Sequence, residues 1–380
     1  MKSVYFDNAA TTQLRPEIIE KMTQVMHQNY GNASSTHSFG RATKALVEQA
    51  RKTVAKYFNV TASEIIFTAG GTEADNLALT SAVRDLSVKR IITSKIEHHA
   101  VFNTVLQLKK QYGISVDYVN LDQTGQIDYL HLKQLLQSSN GKTLVSLMHV
   151  NNEVGNILDL KRVGQLCEDY QALFHSDTVQ SVGHYIIDLQ DIPLDFMAVS
   201  AHKFHGPKGV GFAFVRKKSG LKPLIFGGEQ ERGLRAGTES VHNIVGMAEA
   251  LKLSYLNLDE EKFYIQNLKQ YFIERLSTEI EGVKFNGTSS DFEKSTYTVL
   301  NVCLPFSPEK ESILLFQLDL KGIACSKGSA CQSGSPKGSH VLSQILNNED
   351  LEKPSLRFSF SKYNTKDEID YVIEVLKEFI

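Results

Sequence analysis

Tryptophan is absent from this 380-residue chain, and cysteine occurs only four times, at Cys167, Cys303, Cys325 and Cys331. Four thiols in so long a chain do not make a disulfide framework, and no pair has the Cys-x-x-Cys spacing of a zinc or thioredoxin-like site. No metal is expected, and each cysteine is read as a free thiol unless its surroundings mark it out. An excess of charge of one sign is also missing, since 41 Lys+Arg against 43 Asp+Glu leave a formal net charge of −2. That removes the broad basic field needed to bind nucleic acid without regard to sequence. No apolar run approaches the roughly 18 residues that span a bilayer. The N-terminal stretch Asp7-Asn8-Ala9-Ala10-Thr11-Thr12 is too polar to be the heart of a signal peptide. A cytoplasmic protein with neither a membrane nor a nucleic-acid partner is expected. What is present, 42% hydrophobic and 22% charged residues, is ordinary globular composition. At about 100–200 residues per domain, the length suggests two domains.

Between about residues 60 and 216, short β-type runs alternate with longer helical stretches. Residues 64–68, 90–93, 116–119, 143–148, 172–175 and 196–199 read as buried strands. Helical candidates at 72–84, 99–112, 128–138 and 160–171 lie between them. Strands separated by helices predict βαβ units in an α/β fold, with a mostly parallel mixed sheet covered on both faces. After a glycine-rich stretch at 227–237 the rhythm changes to a long helical segment over about 240–277, strands near 297–303 and 355–360, and helices near 309–320 and 366–380. The pattern predicts a large domain over 15–255 and a smaller α+β domain made from 1–14 and 256–380. No repeat or proline-rich linker separates them, so close packing is expected.

The sharpest local signal is Ser200-Ala201-His202-Lys203-Phe204-His205-Gly206, directly after the strand at 196–199. Open α/β sheets bind ligands at the carboxyl ends of their strands. A lysine desolvated there has an amine able to attack a carbonyl; the competing reading is a loop lysine serving solubility. Ser200 and His202 beside it are donors for an anion. Asp177, two residues past the strand at 172–175, suits the protonated ring nitrogen of pyridoxal phosphate, or equally a helix N-cap. Gly70-Gly71-Thr72 between a strand and a helix offers backbone N–H groups to a phosphate. It lacks the ending of a P-loop and the spacing of a dinucleotide fingerprint. His98 and Asn152 follow two further strands, where an imidazole can stack on a flat ring and a neutral amide can meet a phenolic oxygen. Either also suits an ordinary loop. Five strand ends with complementary chemistry are harder to ascribe to chance than any one.

The combination of Thr68-Ala69-Gly70-Gly71-Thr72-Glu73-Ala74-Asp75-Asn76, Glu97-His98, His149-Val150-Asn151-Asn152-Glu153, His175-Ser176-Asp177-Thr178-Val179-Gln180 and Ser200-Ala201-His202-Lys203 resembles the NifS/IscS-like cysteine desulfurases. These are pyridoxal-phosphate enzymes of aminotransferase class V, with fold type I. The likeness runs from Tyr5 to Tyr371. It implies Lys203 as the lysine that binds the cofactor, Asp177 at the ring nitrogen, His98 stacked on the ring, and Gln180 and Asn152 near the phenolic oxygen. Gly71, Thr72, Ser200 and His202 are implied to hold the phosphate. Thr238, in Gly227-Gly228-Glu229-Gln230-Glu231-Arg232-Gly233-Leu234-Arg235-Ala236-Gly237-Thr238, is implied to reach the phosphate of a neighbouring subunit, hence a homodimer with shared sites.

Cys331 lies among small residues and glycines in Gly328-Ser329-Ala330-Cys331-Gln332-Ser333-Gly334, with Lys327, Lys337 and His340 near in sequence to favour its thiolate. The resemblance makes it the catalytic cysteine. Cys325, Cys167 and Cys303 are read as packing residues. Arg357, in a strand, gives a planar grip on a carboxylate, and the resemblance places the substrate's α-carboxylate there, near Asn152. The implied reaction converts L-cysteine to L-alanine, with Lys203 moving the α-proton, His98 a proton shuttle, and sulfur passing to Cys331 as a persulfide for delivery to a sulfur-acceptor protein. Two departures stand out. Ser361-Lys362 replaces the usual glycine after the arginine strand, and the chain ends at Ile380 without the extension with which longer members dock an iron–sulfur scaffold. A tRNA-thiolating acceptor is thus expected alongside the scaffold. Competing readings are a selenocysteine lyase or another class V lyase, neither needing Cys331, and a non-catalytic sulfur-relay subunit, against which Lys203 and Asp177 argue.

Overall fold

The computed structural model describes residues 3–138, 141–308, 311–328 and 338–379. Strand β1 (Val4–Tyr5) leads into helices α1 (Pro16–Gln28) and α2 (Ser38–Tyr57). There follow β2 (Ile65–Thr68), α3 (Gly71–Asp85), β3 (Arg90–Thr93), α4 (His99–Tyr112), β4 (Ser115–Tyr118), α5 (Tyr129–Gln137), β5 (Thr143–Ser146), α6 (Leu160–Asp169), β6 (Leu173–Asp177), β7 (Phe196–Ser200) and β8 (Gly211–Val215). Strands β2 to β8 form one seven-stranded sheet in the order β2-β8-β7-β6-β5-β3-β4. The pairs from β4 across to β7 are parallel, whereas β8 runs antiparallel to both β7 and β2. The sequence reading omits β8. Only ten residues separate it from β7, too few for a parallel crossover, so the chain must reverse.

The sheet is apolar on both faces because each strand alternates its side chains between two cores. Ile65, Phe67, Val145, Met197, Val199, Phe212 and Phe214 pack on one side with Ile18, Val54, Met247 and Leu251. Ile66, Leu144, Phe196, Ala198 and Ala213 pack on the other with Leu77, Leu79, Val101 and Val105 from α3 and α4. Helices α1 and α2, also outside the sequence reading, thereby cover the first face. Pro16 at the start of α1 presets a helical φ where no N–H bond is needed.

The segment expected as one helix over 240–277 is two, α7 (Val241–Leu256) and α8 (Leu258–Glu279), parted at Asn257. Asp259, Glu260 and Glu261 occupy the first turn of α8, where acidic side chains favour a new helix N-terminus. The break lets α7 face the sheet while Ile265, Leu268, Phe272 and Leu276 of α8 enter a separate core. That core also takes Val4 and Phe6 and side chains from β10 (Val299–Cys303), beside β9 (Lys284–Phe285), and from the further elements α9 (Glu311–Leu320), β11 (Ile323–Ala324), β12 (Ser355–Ser359) and α12 (Lys366–Lys377). Two single-turn helices, α10 (Leu342–Ile345) and α11 (Asn348–Leu351), precede β12. Parallel pairing of β1 with β11 ties the N-terminus to this second body.

Candidate active site

The carboxyl ends of β5, β6 and β7 and the amino end of α3 surround a cavity of about 220 Å³. Its lining includes Lys203, Asp177, His98, Asn152, Gln180 and Arg357, together with Gly71, Thr72, Ser200 and His202. Ten of the residues singled out in the sequence therefore meet in one place. Thr238 lines a different cavity, with Thr68, Ala69 and Arg235. Cys331 lies outside the described residues.

Lys203 follows β7 in a short 3-10 turn, at the carboxyl end of an interior strand, and lines the cavity. Its Nζ donates to the carbonyl oxygens of Ala9 at 2.5 Å and Ala10 at 2.8 Å. The Gln180 amide donates to Ala9 as well, at 2.9 Å. The N-terminal strap thus holds both polar groups at the cavity wall.

Asp177 ends β6 and is buried, its Oδ1 accepting from the N–H of Val179 at 2.9 Å. Burial pushes its carboxyl up to about 6, against the opposing pull of that N–H and of Lys203. Near it are groups to which the sequence reading gives no role. Asp75, on α3, lines the cavity and faces Nε2 of buried His175 at 3.3 Å, while Ser146 Oγ and His175 Nδ1 are hydrogen-bonded at 2.9 Å. Burial, with Asp177 and Glu97 adding repulsion, holds the Asp75 carboxyl well above its usual range. A carboxylate between the apolar residues Ala74 and Leu77 of a helix is a sequence signal that would have found it.

His98 caps α4, with Nδ1 accepting from the Ala100 N–H at 3.1 Å. Burial, then Lys203 and His340, lower its pKa to about 4, so the ring is neutral near pH 7. With Nδ1 an acceptor, the proton resides on Nε2.

The first turn of α3 has no side-chain cap, leaving its backbone N–H groups for an anion. Gly70 adopts φ 155°, a conformation that favours glycine. Gly71 has no space for a side chain, because a Cβ there would lie 2.5 Å from Val179 Cγ2. Ser200 and His202 stand opposite. His202 shares a hydrogen bond of 3.1 Å with Thr11 Oγ1, and burial lowers its pKa to about 4.

Arg357, on β12, is 1% exposed and reaches the cavity from the second body. It donates to the Asn152 carbonyl at 2.9 Å and to Asp7 Oδ1 at 2.8 Å. Asp7 also accepts from Ser326 Oγ at 2.7 Å.

Residues 4–372 match the family Aminotransferase class-V, and the chain belongs to it. It is 41% identical over 382 residues to cysteine desulfurase IscS of Dictyoglomus turgidum, covering 100% of this chain and 95% of that protein. A solved NifS-like protein superposes with a TM-score of 0.90 at 34% identity, covering 99% of each chain. A structure titled "SspA in complex with cysteine" superposes with a TM-score of 0.81 at 30% identity, covering 96% of this chain and 100% of that one. The family's cofactor is pyridoxal 5′-phosphate. The residues present fit it, with an uncapped helix start beside the side-chain-free cradle at Gly71 for the phosphate, a buried carboxyl at Asp177, and a primary amine at Lys203. Among the described residues no helix is long and apolar enough to cross a membrane.

Proposed function

We infer that this protein is a pyridoxal-phosphate-dependent cysteine desulfurase that converts L-cysteine to L-alanine and passes the sulfur to Cys331. The observation that carries this reading is the meeting of Lys203, Asp177 and Arg357 in one cavity of a chain 41% identical to a cysteine desulfurase. In balance, L-cysteine and a protein thiol give L-alanine and a protein persulfide, with no outside oxidant or reductant.

Gly71, Thr72, Ser200 and His202 would hold the cofactor's phosphate, and Asn152 and Gln180, which line the same cavity, would serve its phenolic oxygen. When bound, the cofactor acts as an electron sink that acidifies the substrate's α-carbon and labilises its Cβ–Sγ bond. Asp177 keeps the ring nitrogen protonated, as that sink requires. Arg357 grips the α-carboxylate with a planar pair of donors, which orients the Cα–H bond. Lys203 Nζ takes the α-proton and returns one, and the neutral His98, through Nε2, moves a proton at the substrate's sulfur. The Cys331 thiolate attacks that sulfur. The new S–S bond forms as Cβ–Sγ breaks, and the released electron pair stays with the carbon skeleton, which takes up a proton.

The reading extends to a homodimer in which Thr238 reaches the partner's phosphate, supported by its exclusion from its own chain's main cavity. It also includes a large domain over 15–255, a small one from 1–14 and 256–380, and a cytoplasmic setting. The acceptor is a protein, either an iron–sulfur scaffold or a tRNA-thiolating enzyme. Mass spectrometry after L-cysteine tests the central claim: the added sulfur is expected on Cys331 and absent from Cys331→Ser. Desulfuration at the full rate by Cys331→Ser would overturn it.

A further inference from the structure

Glu153, one residue beyond Asn152, is fully buried. Its backbone is held on both sides, with its N–H donating to Asn151 Oδ1 at 2.9 Å and its carbonyl accepting from Asn301 Nδ2 at 2.9 Å. The carboxylate points at two places that are neighbours in space and eleven residues apart in sequence. Ser339 Oγ donates to Glu153 Oε2. Gly328 lies so close that an added Cβ would stand 2.8 Å from the same oxygen. These two residues bracket the segment that contains Cys331.

The flanks are tied into the site as well. On the entry side, Ser326 and Arg357 exchange backbone hydrogen bonds of 3.2 and 2.6 Å. On the exit side, His340 Nε2 donates to the Glu97 carbonyl at 2.9 Å, and its Nδ1 stands 4.0 Å from Glu153 Oε1. Val341 and Leu342 pack there on Ile96 and Val154. Every tie leads to a strand-end turn that also supplies a cavity residue, His98 or Asn152, or to Arg357 itself.

We propose that Glu153 is a positioning residue for sulfur transfer, its buried side chain accepting from Ser339 and packing against Gly328, which pins these two residues to the turn that carries Asn152. The proposal rests on the desulfurase reading with Cys331 as sulfur carrier. Cys331 is three residues from Gly328 along the chain, so the pin limits where its thiol is offered to the substrate's sulfur. Loss of the pin lets the two ends separate, and misplacement of a reacting group by about 1 Å costs up to about 100-fold in rate. Lys203 and Asp177 do not depend on the pin, so the earlier proton transfer is spared.

The test uses the cofactor-loaded enzyme with Glu153→Gln, Gly328→Ala and Cys331→Ser. Gly328→Ala keeps the carboxylate while pushing the segment off it, and it carries the test if Glu153→Gln does not fold. Two readouts are compared, single-turnover persulfide formation from L-cysteine and deuterium exchange of the α-proton of L-alanine. Both pin variants are expected to form persulfide about 10- to 100-fold more slowly, with normal α-proton exchange and cofactor absorbance. If both form persulfide at the wild-type rate while Cys331→Ser forms none, this proposal fails and the desulfurase reading stands. A parallel loss of exchange and absorbance would mark Glu153 as merely structural and also overturn the proposal. Wild-type desulfuration by Cys331→Ser would instead remove the reading beneath it.

Discussion

The guanidinium of Arg357 is bonded to the carboxylate of Asp7 at 2.8 Å, across 350 residues of sequence. The arginine is almost fully buried, and Asp7 is its only ion-pair partner among the described residues. Removing one member of a buried pair leaves an uncompensated charge and costs about 3–5 kcal/mol. Asp7→Ala is therefore expected to lower the urea midpoint and, by loosening the arginine, to raise KM for L-cysteine more than it changes kcat. An unchanged KM would show that Asp7 does not orient Arg357.

Lys203→Ala removes the amine that moves the α-proton. General acid–base groups are worth about 100- to 10,000-fold, so α-proton exchange is expected to fall by that much. The absorbance band of the lysine-bound cofactor disappears with it, which a visible spectrum checks directly.

Gly71→Ala places a methyl group 2.5 Å from Val179 Cγ2. Overpacking of this kind costs about 1–3 kcal/mol. Here the strain is relieved by moving the start of α3, so cofactor affinity falls. Spectroscopic titration of the apoprotein with pyridoxal phosphate measures the loss.

Glu97 accepts from Ser94 Oγ at 2.9 Å and from the Met148 N–H at 3.0 Å, and burial pushes its carboxyl from 4.5 up to about 8. The folded chain keeps this proton at pH values where the unfolded chain has lost it. The stability it contributes is complete below the unfolded pKa and declines as pH rises toward the folded one. Glu97→Gln cannot ionise, so the variant should gain on the wild type between about pH 5 and 8, by at most about 1.4 kcal/mol per pH unit. Denaturation midpoints across that range test the slope; a constant difference would mean an ionised Glu97 in the folded protein.

Arg51 and Glu231 form a buried pair at 2.5 Å, and Glu231 also accepts from the Phe67 N–H at 2.8 Å. This pair anchors the glycine-rich stretch that bears Thr238. Glu231→Ala is expected to destabilise the protein by about 3–5 kcal/mol, read by chemical denaturation.

Local pattern determined much of this protein. Apolar runs with glycine or polar residues at their ends marked six strands of the main sheet, and the residue types at those ends marked Lys203, Asp177, His98 and Asn152 as candidates. Those signals are local because a strand's burial and a turn's geometry depend on neighbouring residues. Even the break at Asn257 had its trace in Asp259, Glu260 and Glu261, although two joined helical runs have one periodicity and only their separate cores distinguish them. Tertiary structure alone decided that the strand ends converge on one cavity, that Asp75 meets His175 near Asp177, and that Thr238 stands apart from that cavity. It also decided which partners hold Arg357 and what Glu153 binds. Those pairings join residues far apart in the chain, and they follow from how the sheet, its helices and the second body bury their apolar faces against one another, which no spacing within a single segment records.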